Sequence, residues 1–295
     1  MKKIEAIILN YNNSADCKKC IKFLRQQDYP DLKILVIDNA SSKEDEKENL
    51  EKICSQFNVE LILSEENKGY SAGNNIGLKK AVRSGAEWCL IINPDVELRD
   101  SSYISYMSRQ FERWPEAVVT ASNIILPDGT RQNPQREPGF WEEFLWPILS
   151  LKARLIKNYN WYVMPDQTGY CEKVSGCCFF IKADFLVDIG FLDENVFMYC
   201  EEAILAKQVH KHCRKELYIK EITAHHEHFT VAKGNKNKRM RIKADSRNYY
   251  ITNYSEFNRI EKLLVIMENY MMILVLQMKQ RFKNRENKNE EQHKI

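Results

Sequence analysis

The sequence has none of the features that mark a membrane-spanning, exported or disulfide-linked protein. Its first residues, MKKIEAIILNYNN, turn polar after an apolar run that is too short for a signal peptide. The most apolar stretch, residues 263–278, contains Glu268 and Asn269 and falls short of the roughly 20 residues that cross a bilayer. Nine cysteines without an export signal predict reduced thiols in a cytoplasmic protein.

Cysteine motifs for metals and common nucleotide-binding motifs are also scarce. Cys17 and Cys20 form one CxxC pair, and no second pair follows at the spacing of a zinc ribbon. We favour two ordinary helix thiols, with a redox or zinc pair as the alternative. The chain has no GxGxxG after its first apolar run and no GxxxxGK[ST], which argues against a dinucleotide fold and a P-loop.

The net charge is small but unevenly distributed. A formal charge of +3 over 295 residues is too low to indicate wholesale nucleic-acid binding, so no nucleic-acid partner is expected. Residues 232–247 carry seven basic side chains and one acidic side chain, and therefore a local charge of +6. This segment suits a lid over a nucleotide diphosphate, a contact for the phosphates of a lipid-linked acceptor, or a solvated loop.

Strand-like and helix-like segments alternate over the first hundred residues. Short apolar runs predict strands, and the amphipathic segments between them predict helices. This βαβ rhythm predicts an α/β fold with a mainly parallel sheet flanked by helices. The predicted strands are residues 4–10, 32–41, 59–69 and 86–95, and the predicted helices are residues 14–27, 43–57 and 71–84.

Polar residues follow each of these predicted strands. In a parallel sheet the carboxyl ends of the strands lie at one edge, and ligands bind there. We therefore expect one crevice to collect Asn10 and Tyr11, Asp38 and Asn39, and the segments 67–69 and 93–95. Glycines at 69, 73 and 77 recur every four residues, which places them on one helix face and predicts close packing of that helix.

The pattern becomes less regular beyond residue 100. Residues 127–170 are rich in Pro and Trp and predict a long irregular segment. Its aromatic residues suit either stacking on acceptor sugars or ordinary core packing; they are Trp141, Trp146, Trp161 and Tyr162. The last helix, predicted over 256–283, has a heptad-like apolar stripe that suits packing on the domain, dimerisation or docking on a membrane surface.

Asp95 and a histidine cluster are candidate metal-site residues. Asp95 ends an apolar strand, and its carboxylate suits Mg²⁺ or Mn²⁺ shared with substrate phosphates, although NPD is also a turn sequence. HHEHFT, residues 225–230, ends a later strand with three histidines. Zinc is not expected there because the spacing of zinc ligands is missing, and a solvated strand end is the alternative.

Glu201 and Glu202 begin a predicted helix, and helical phase separates them. With about 100° per residue, Glu202 falls near the centre of an apolar stripe and Glu201 lies about 100° away. The stripe consists of Leu205, Ala206, Val209 and Cys213. Glu202 is therefore predicted to point inward, whereas the alternative is that both acids only favour a helix amino terminus.

Seven motifs, taken in order along the chain, resemble those of the family 2 inverting glycosyltransferases. They are ILNYNN, VIDNAS, ENKGYSAGNNIGLKKA, NPDVEL, VSGCCFFIKADFL, GFLDENVFMYCEEAIL and HHEHFT, and they span about residues 4–230. The chain is most similar to the rhamnosyl- and hexosyltransferase-like members. The resemblance implies a GT-A fold over 1–250, with a Rossmann-like nucleotide-binding half (about 1–100) and an acceptor and catalytic part (about 101–250), followed by a C-terminal helical extension (251–295).

The resemblance also implies roles for individual residues. On the donor side, Asn10 and Tyr11 would border the base and Asp38 would bind the base or ribose. Residues lining the nucleoside and sugar would be Asn67, Gly69 and Asn74 or Asn75.

On the reacting side, Asp95 stands where the family's DxD aspartate holds the metal, with Asn93 in place of the first acid. His226 and His228 would approach the diphosphate or metal, and the acceptor contacts would be Trp141, Gly176 and Glu201. Direct displacement needs a base for the proton of the acceptor hydroxyl. Glu202 is the expected base, at a position where relatives often keep Asp, with a further Asp at the position of Ile204.

The activity that this resemblance implies is transfer of a sugar with inversion. The donor would be a UDP- or dTDP-sugar with Mg²⁺ or Mn²⁺, and the acceptor a saccharide or undecaprenyl-linked saccharide in capsule, exopolysaccharide or O-antigen synthesis. Peripheral contact with the inner face of the plasma membrane and a homodimer through the C-terminal helix are further expectations. The rival is an inactive homologue that binds a partner in polysaccharide assembly; a nucleotidyltransferase is less supported.

Overall fold

The computed structural model of the protein describes residues 2–155, 163–227 and 236–292. Within these ranges the strands are β1 (Ile4–Asn10), β2 (Leu32–Asp38), β3 (Glu60–Leu63), β4 (Trp88–Ile92), β5 (Val96–Glu97), β6 (Ala117–Ile125), β7 (Gly169–Cys171), β8 (Cys178–Lys182) and β9 (Lys215–His226). The helices are α1 (Ser14–Arg25), α2 (Glu46–Phe57), α3 (Tyr70–Arg83), α4 (Tyr103–Arg113), α5 (Phe140–Phe144), α6 (Trp146–Leu155), α7 (Ala183–Asp188), α8 (Glu201–Lys211), α9 (Lys236–Asn253) and α10 (Arg259–Gln292).

All of these strands belong to one sheet. Its order is β3-β2-β1-β4-β8-β6-β9-β5, and β7 pairs with β9. Strands β3, β2, β1 and β4 are parallel to one another, and β6 and β9 are parallel to each other. Strands β8, β5 and β7 run antiparallel to their neighbours, so six of the nine strands share one direction. The predicted α/β fold with a mainly parallel sheet flanked by helices is confirmed.

The sheet passes through both of the parts predicted within residues 1–250, because β4 of the first part pairs with β8 of the second. The boundary near residue 100 therefore stays a prediction. Helix α9 runs across residue 250, where we predicted the start of the C-terminal extension. Among the described residues, no helix has the length and apolar character needed to cross a membrane.

Two glycines let α3 lie directly on the sheet. A Cβ atom at Gly77 would lie 2.6 Å from Cγ2 of Ile7, and one at Gly73 would lie 2.7 Å from a methyl group of Leu9. Both distances are shorter than real Cβ contacts, so a larger residue would force the Ile7 or Leu9 side chain to move. The predicted close packing of the glycine-bearing helix is confirmed.

Gly77→Ala is therefore expected to lower the free energy of unfolding by about 1–3 kcal/mol, because the added methyl group overpacks a closed interface. Gly139→Ala is the matched control, since the nearest atom to a Cβ at Gly139 is 3.9 Å away. Urea unfolding of both variants measures the difference. Equal stability of the two variants would contradict the proposed role of the close approach.

The segment predicted to be irregular, residues 127–170, contains two helices in its described part. Helix α5 has a tertiary partner that its own sequence does not reveal. The ring of Phe140 lies 5.8 Å from that of Phe257 near the start of α10, and 5.9 Å from that of Phe144. The prediction of an irregular segment was wrong for residues 140–155.

The buried apolar residues form three clusters, and the C-terminal helices α9 and α10 pack on the domain through the third cluster. This cluster contains the buried residues Val196, Ile204, Tyr250, Ile251 and Val265. Arg247, only 5% exposed, joins α5, α9 and α10. Its guanidinium lies 2.8 Å from Oε2 of Glu143 and 2.8 Å from Oε2 of Glu268.

Parts of the predicted basic segment 232–247 therefore have a structural role. Helix α9 begins at Lys236, and Arg247 is buried in ion pairs instead of facing a phosphate or the solvent. This corrects the prediction for Arg247. Residues 232–235 lie outside the described residues.

The predicted helix thiols are confirmed. Cys17 and Cys20 are free and buried on α1. Across the described ranges no group of three or more His, Cys, Asp or Glu side chains could hold a metal ion.

Candidate active site

Asp38 lies at the carboxyl end of β2, opposite Asn10 of β1 in the parallel register. Its Oδ1 accepts hydrogen bonds from the Ser41 hydroxyl (2.5 Å) and from Nδ2 of Asn10 (3.2 Å). Its Oδ2 accepts the backbone N–H of Ser41 at 3.1 Å. Three donors hold this carboxylate in one orientation at the expected ligand-binding edge of the sheet.

Asn10 lies behind Asp38 and is fully buried. Besides Asp38, its Nδ2 lies 3.3 Å from Oε1 of the buried Glu46, which also accepts the backbone N–H of Ser14. Tyr11, the next residue, is 48% exposed at the rim. Of these two residues predicted to border a base, Tyr11 is the one with an open face.

Asn67 and Gly69 lie beside Asn39, which follows Asp38. Oδ1 of Asn67 accepts Nδ2 of Asn39 at 3.1 Å and the backbone N–H of Gly69 at 3.0 Å. Gly69 has φ +102°, and a Cβ there would lie 2.2 Å from the carbonyl oxygen of Phe197. Both the left-handed conformation and the close approach require glycine at this position.

Asn74 and Asn75 are buried on α3, and their contacts differ. Asn75 donates to the Leu192 carbonyl (2.8 Å) and to Oε1 of Glu194 (2.7 Å), and its own oxygen accepts the N–H of Leu192. Asn75 thus ties α3 to the loop before α8. Asn74 donates to the Tyr70 carbonyl, and its buried Oδ1 has no partner among the described residues.

Asp95 and His226 meet where β5 pairs with β9, because Asp95 directly precedes β5 and His226, the last residue of β9, is paired with Val96. Oδ1 of Asp95 lies 3.3 Å from Nε2 of His226, and Nδ1 of His226 lies 2.8 Å from Oε1 of Gln132. Burial opposes ionisation of the imidazole, but its hydrogen bonds with Asp95 and Cys177 outweigh burial and raise the pKa of His226 to about 10. The structure therefore joins two residues predicted as metal ligands from positions 131 residues apart.

The pair fits a divalent cation in part. Carboxylate oxygens suit Mg²⁺ and Mn²⁺, and an imidazole nitrogen is an acceptable further ligand for Mn²⁺. The remaining ligands would have to come from the substrate and from water, because the described residues contain no third ligand. His228, the other predicted histidine, lies outside the described residues.

Glu202 is held by the backbone of Gly176. The Gly176 N–H donates to Oε1 of Glu202 at 3.2 Å, and a Cβ at Gly176 would lie 2.9 Å from the same oxygen. A residue larger than glycine would displace this carboxylate. Because Cys177 follows Gly176 and contacts His226, the Glu202 carboxylate and the Asp95–His226 pair are linked through two adjacent residues.

The chain segment before Gly176 is fixed by two buried side chains. The Val174 N–H donates to Oε2 of Glu216 at 2.8 Å, and the Ser175 N–H donates to Oδ1 of Asn133 at 2.7 Å. Glu216 and Asn133 are 3% and 0% exposed. Glu216, Asn133 and Glu202 thus accept the N–H groups of the consecutive residues 174, 175 and 176. The first two contacts fix the loop whose third N–H group holds Glu202.

Glu201 differs from its neighbour. Burial and the adjacent Glu202 carboxylate raise the pKa of Glu201 to about 8. Its Oε1 is buried without a hydrogen-bond partner among the described residues. Tyr70, Gly176, Glu201 and Glu202 line one pocket, and the Tyr70 hydroxyl donates to the Gly176 carbonyl at 2.5 Å.

The stripe used to predict the phase of α8 was right in part. Leu205, Ala206 and Val209 are buried as expected. Cys213 is exposed because α8 ends at Lys211, and Ile204 is buried in the third cluster instead.

The raised pKa of Glu201 predicts a pH-dependent penalty on stability. Between pH 4.5 and 8 the folded state holds a proton that the unfolded state has lost, so stability falls as pH rises through this window. Glu201→Gln is expected to remove the penalty and to gain on the order of 2–4 kcal/mol over the wild type between pH 5 and pH 8. Urea unfolding at both pH values measures it, and Glu51→Gln on the exposed face of α2 is the control. A gain that does not change with pH would contradict the assignment.

The aromatic residues predicted for acceptor contact are dispersed. Trp141 is 68% exposed on α5, whereas Trp146 packs under Lys243 of α9, whose Nζ lies 4.5 Å from its ring centre. Trp161 and Tyr162 lie outside the described residues.

Several residues of the site were missed from the sequence. Tyr70 and Cys177 adjoin residues that had been singled out, so their motifs could have indicated them. Glu216 is an acid within an apolar strand, which is a signal for a buried role. Gln132 and Asn133 lie in the segment predicted to be irregular, where no periodicity indicates them.

Comparison with known proteins agrees with this geometry. Residues 5–179 match the sequence profile described as Glycosyl transferase family 2. The low-salt glycan biosynthesis hexosyltransferase Agl10 of Haloferax volcanii is 28% identical over 207 residues, which cover 68% of this chain and 59% of that protein. The N-acetylglucosaminyl-diphospho-decaprenol L-rhamnosyltransferase of Mycobacterium tuberculosis is 25% identical over 196 residues, or 59% of this chain and 61% of that protein. The chain thus spans about three-fifths of the length of these relatives.

Solved structures show the same fold at low identity. The mannosyltransferase PcManGT of Pyrobaculum calidifontis, in complex with GDP-Man and Mn²⁺, superposes with a TM-score of 0.59 at 13% identity and covers 91% of this chain and 69% of its own. S. aureus TarS 1-349 in complex with UDP-GlcNAc superposes with a TM-score of 0.56 at 15% identity, over 92% of this chain and 72% of its own. The fold is therefore the GT-A fold, and since the family profile matches more than half of its residues, the chain belongs to glycosyl transferase family 2.

Proposed function

We propose that the protein transfers a sugar from a nucleotide-sugar donor to a hydroxyl group of a saccharide or lipid-linked saccharide, with inversion at the anomeric carbon. The observation that carries this proposal is the link between two sites. The Asp95–His226 pair suits a diphosphate with its cation, and the Glu201–Glu202 pair suits proton transfer. The adjacent residues Gly176 and Cys177 join the two.

The donor side of the proposal assigns direct and supporting roles. Asp38 and Tyr11 would contact the nucleoside of a UDP- or dTDP-sugar, with Asn10 holding Asp38 from behind. Asn67 and Gly69 shape the neighbouring wall. Asn74 would accept a hydrogen bond from the donor or from water, since its buried oxygen lacks a protein partner among the described residues.

Asp95 and His226 would hold Mg²⁺ or Mn²⁺. The bound cation would stabilise negative charge on the departing diphosphate. In the protein alone His226 carries a proton, which it must release before Nε2 can act as a ligand, so cation binding should become weaker as pH falls.

Glu202 is the proposed base. Its carboxylate would take the proton of the acceptor hydroxyl while that oxygen forms a bond to the anomeric carbon and the bond to the nucleoside diphosphate breaks. Two adjacent buried carboxylates resist being ionised together. Burial and the neighbouring Glu202 carboxylate raise the pKa of Glu201 to about 8, so Glu201 is mostly protonated near neutral pH.

The acceptor is proposed to be a saccharide carried by a polyprenyl diphosphate such as undecaprenyl diphosphate, in the synthesis of a bacterial surface polysaccharide. One relative is named for an acceptor of this kind, a diphospho-decaprenol. The proposal places the protein in the cytoplasm, in peripheral contact with the inner face of the plasma membrane. Gly176, Glu201 and Trp141 remain the proposed acceptor contacts.

Incubation with a panel of UDP- and dTDP-sugars tests the proposal. Donor binding is measured by calorimetry, and slow donor hydrolysis is followed with and without Mg²⁺ or Mn²⁺. We expect at least one donor to bind and to be hydrolysed faster with a cation. Absence of binding and hydrolysis for the whole panel would instead favour an inactive homologue that acts as a binding partner.

A further inference from the structure

We propose that the protein docks on an anionic membrane surface through a docking face formed by α5, α6 and the outer side of α10. The inference rests on the proposed function and deepens it, because it states how a lipid-linked acceptor reaches the site. Its basis is the distribution of exposed apolar side chains and of positive charge.

The outer side of α10 is apolar over about five turns. Nine large apolar side chains between Ile260 and Met278 are exposed, from 38% at Leu264 to 70% at Ile260. At 100° per residue they cover an arc of roughly 140°. The opposite side packs on the domain, where Val265 and Asn269 are fully buried. The exposed arc is therefore additional to the apolar side that anchors the helix.

A second exposed apolar row runs along α5 and α6. Its members recur every three or four residues, and they are Trp141, Leu145, Ile148, Leu151 and Leu155. Both rows are carried by helices that contact α9: Trp146 of α6 lies under Lys243, and α10 is joined to α9 through Arg247. Fourteen of the twenty exposed large apolar residues in the described ranges belong to these two rows. Concentration of this kind marks an interaction surface.

The charge beside the docking face selects an anionic partner. The first half of α9 carries Lys238, Arg239, Arg241 and Lys243 without an acid, and Arg241 is exposed. Basic residues beside an apolar helix face favour binding to anionic lipid.

A second copy of the chain fits these features less well. Symmetric pairing would bring two basic segments together, and like charges disfavour that contact. A coiled-coil contact between two α10 helices would also cover only a narrow part of the exposed apolar arc, and it would leave the α5–α6 row exposed. A bilayer surface covers both rows and neutralises the charge.

The docking face is fixed relative to the catalytic acids. The third cluster joins Val196 and Ile204, on either side of Glu201, to Tyr250 of α9 and Val265 of α10. The Met198 carbonyl, in the loop before α8, accepts a hydrogen bond from the Ser246 hydroxyl of α9 at 2.7 Å. Phe197 and Met198 are exposed, at 39% and 41%. They lie between the docking face and the donor-site wall at Gly69, where the Phe197 carbonyl accepts the N–H of Tyr70.

Vesicle co-sedimentation of the full chain, without donor or acceptor, tests the docking face. Vesicles of phosphatidylcholine alone are compared with vesicles containing about a quarter phosphatidylglycerol, at low and high salt. We expect at least tenfold stronger binding to the anionic vesicles, weakened by salt. Two variants should each reduce it at least tenfold: Met267→Asn/Met271→Asn/Leu274→Asn on α10, and Arg239→Glu/Arg241→Glu on α9.

Matched controls come from helices that are not part of the docking face. Val187→Asn replaces a 54% exposed apolar residue of α7, and Lys47→Glu/Lys52→Glu reverses two exposed charges of α2. Both should bind vesicles like the wild type. Equal binding to both kinds of vesicle, or an equal loss in the controls, would overturn the proposal.

Light scattering separates a second copy from a membrane. A stable dimer that the α10 variant converts to a monomer, without vesicle binding, would overturn the membrane assignment in favour of self-association. Donor binding measured in parallel keeps the two proposals distinct. Failure to bind vesicles with normal donor binding overturns the docking face alone, whereas absent donor binding overturns the proposed function.

Discussion

Glu202→Gln is expected to lower kcat by about 10²–10⁴-fold, the range typical for loss of a general base. Glutamine has the same shape, and its carbonyl oxygen can still accept the N–H of Gly176 that holds Oε1 of Glu202. The substitution therefore removes the negative charge and keeps the position. Donor binding should stay close to the wild type, because the groups proposed to contact the nucleoside, Tyr11 and Asp38, lie at the ends of β1 and β2 and not on α8.

Glu201→Gln is the matched comparison, since it changes the neighbouring carboxylate in the same pocket. Glu201 is mostly protonated near neutral pH, and a neutral amide imitates that form, so kcat at pH 7 should change by less than about tenfold. Transfer kinetics and donor calorimetry of both variants measure the ranking. A larger loss in Glu201→Gln than in Glu202→Gln would falsify the assignment of the base.

Gly176→Ala adds an independent check on the position of the base. The new methyl group would lie 2.9 Å from Oε1 of Glu202 and would force the carboxylate to move. Small displacements at a reacting centre cost about 10²-fold in rate. Loss of kcat with unchanged donor affinity is expected, and full activity would show that the Gly176 contact does not position Glu202.

Arg247→Met is expected to lower the free energy of unfolding by about 3–5 kcal/mol, the cost of breaking a buried ion pair by removing one partner. Arg247 is 5% exposed, and its loss leaves the Glu143 and Glu268 carboxylates without their shared cation. These two acids belong to α5 and α10, so the substitution should loosen both helices from α9.

Arg241→Met on the same helix is the control for this effect. Arg241 is exposed, and a surface substitution away from special features changes stability by less than about 0.5 kcal/mol. Urea unfolding of both variants measures the difference. If the two variants were equally stable, the ion pairs of Arg247 would not be what holds α5 and α10 in place.

The architecture could be predicted from the sequence because it depends on local periodicity and chain direction. Alternating apolar runs and amphipathic segments indicated β1 to β4 and α1 to α3, with boundaries that differ by a few residues. The carboxyl ends of parallel strands lie at one edge, so the neighbourhood of Asn10, Asp38, Asn39 and Asn67 followed from strand order. The glycine spacing likewise predicted the close packing of α3.

Helix α9 could not be predicted in this way, because its apolar periodicity is weak. The pair α5–α6 was missed because the Pro and Trp content of residues 127–170 favours an irregular segment. The residues of α9 are mostly polar, and the helix is stabilised by partners distant in sequence, among them Glu143 and Glu268 at Arg247. Tertiary packing outweighs local propensity in such segments.

The sequence by itself determined the fold class, the family resemblance and the set of polar residues that the strand ends collect, because these follow from patterns within short segments. Only the tertiary structure decided how those residues pair. Asp95 meets His226 through the pairing of distant strands, and Asn10 lies behind Asp38 and not beside the solvent. Helical phase predicted that Glu202 points inward with Glu201 about 100° away, but both residues line one pocket. The raised pKa of Glu201 comes from burial, which depends on every element packed around that pocket.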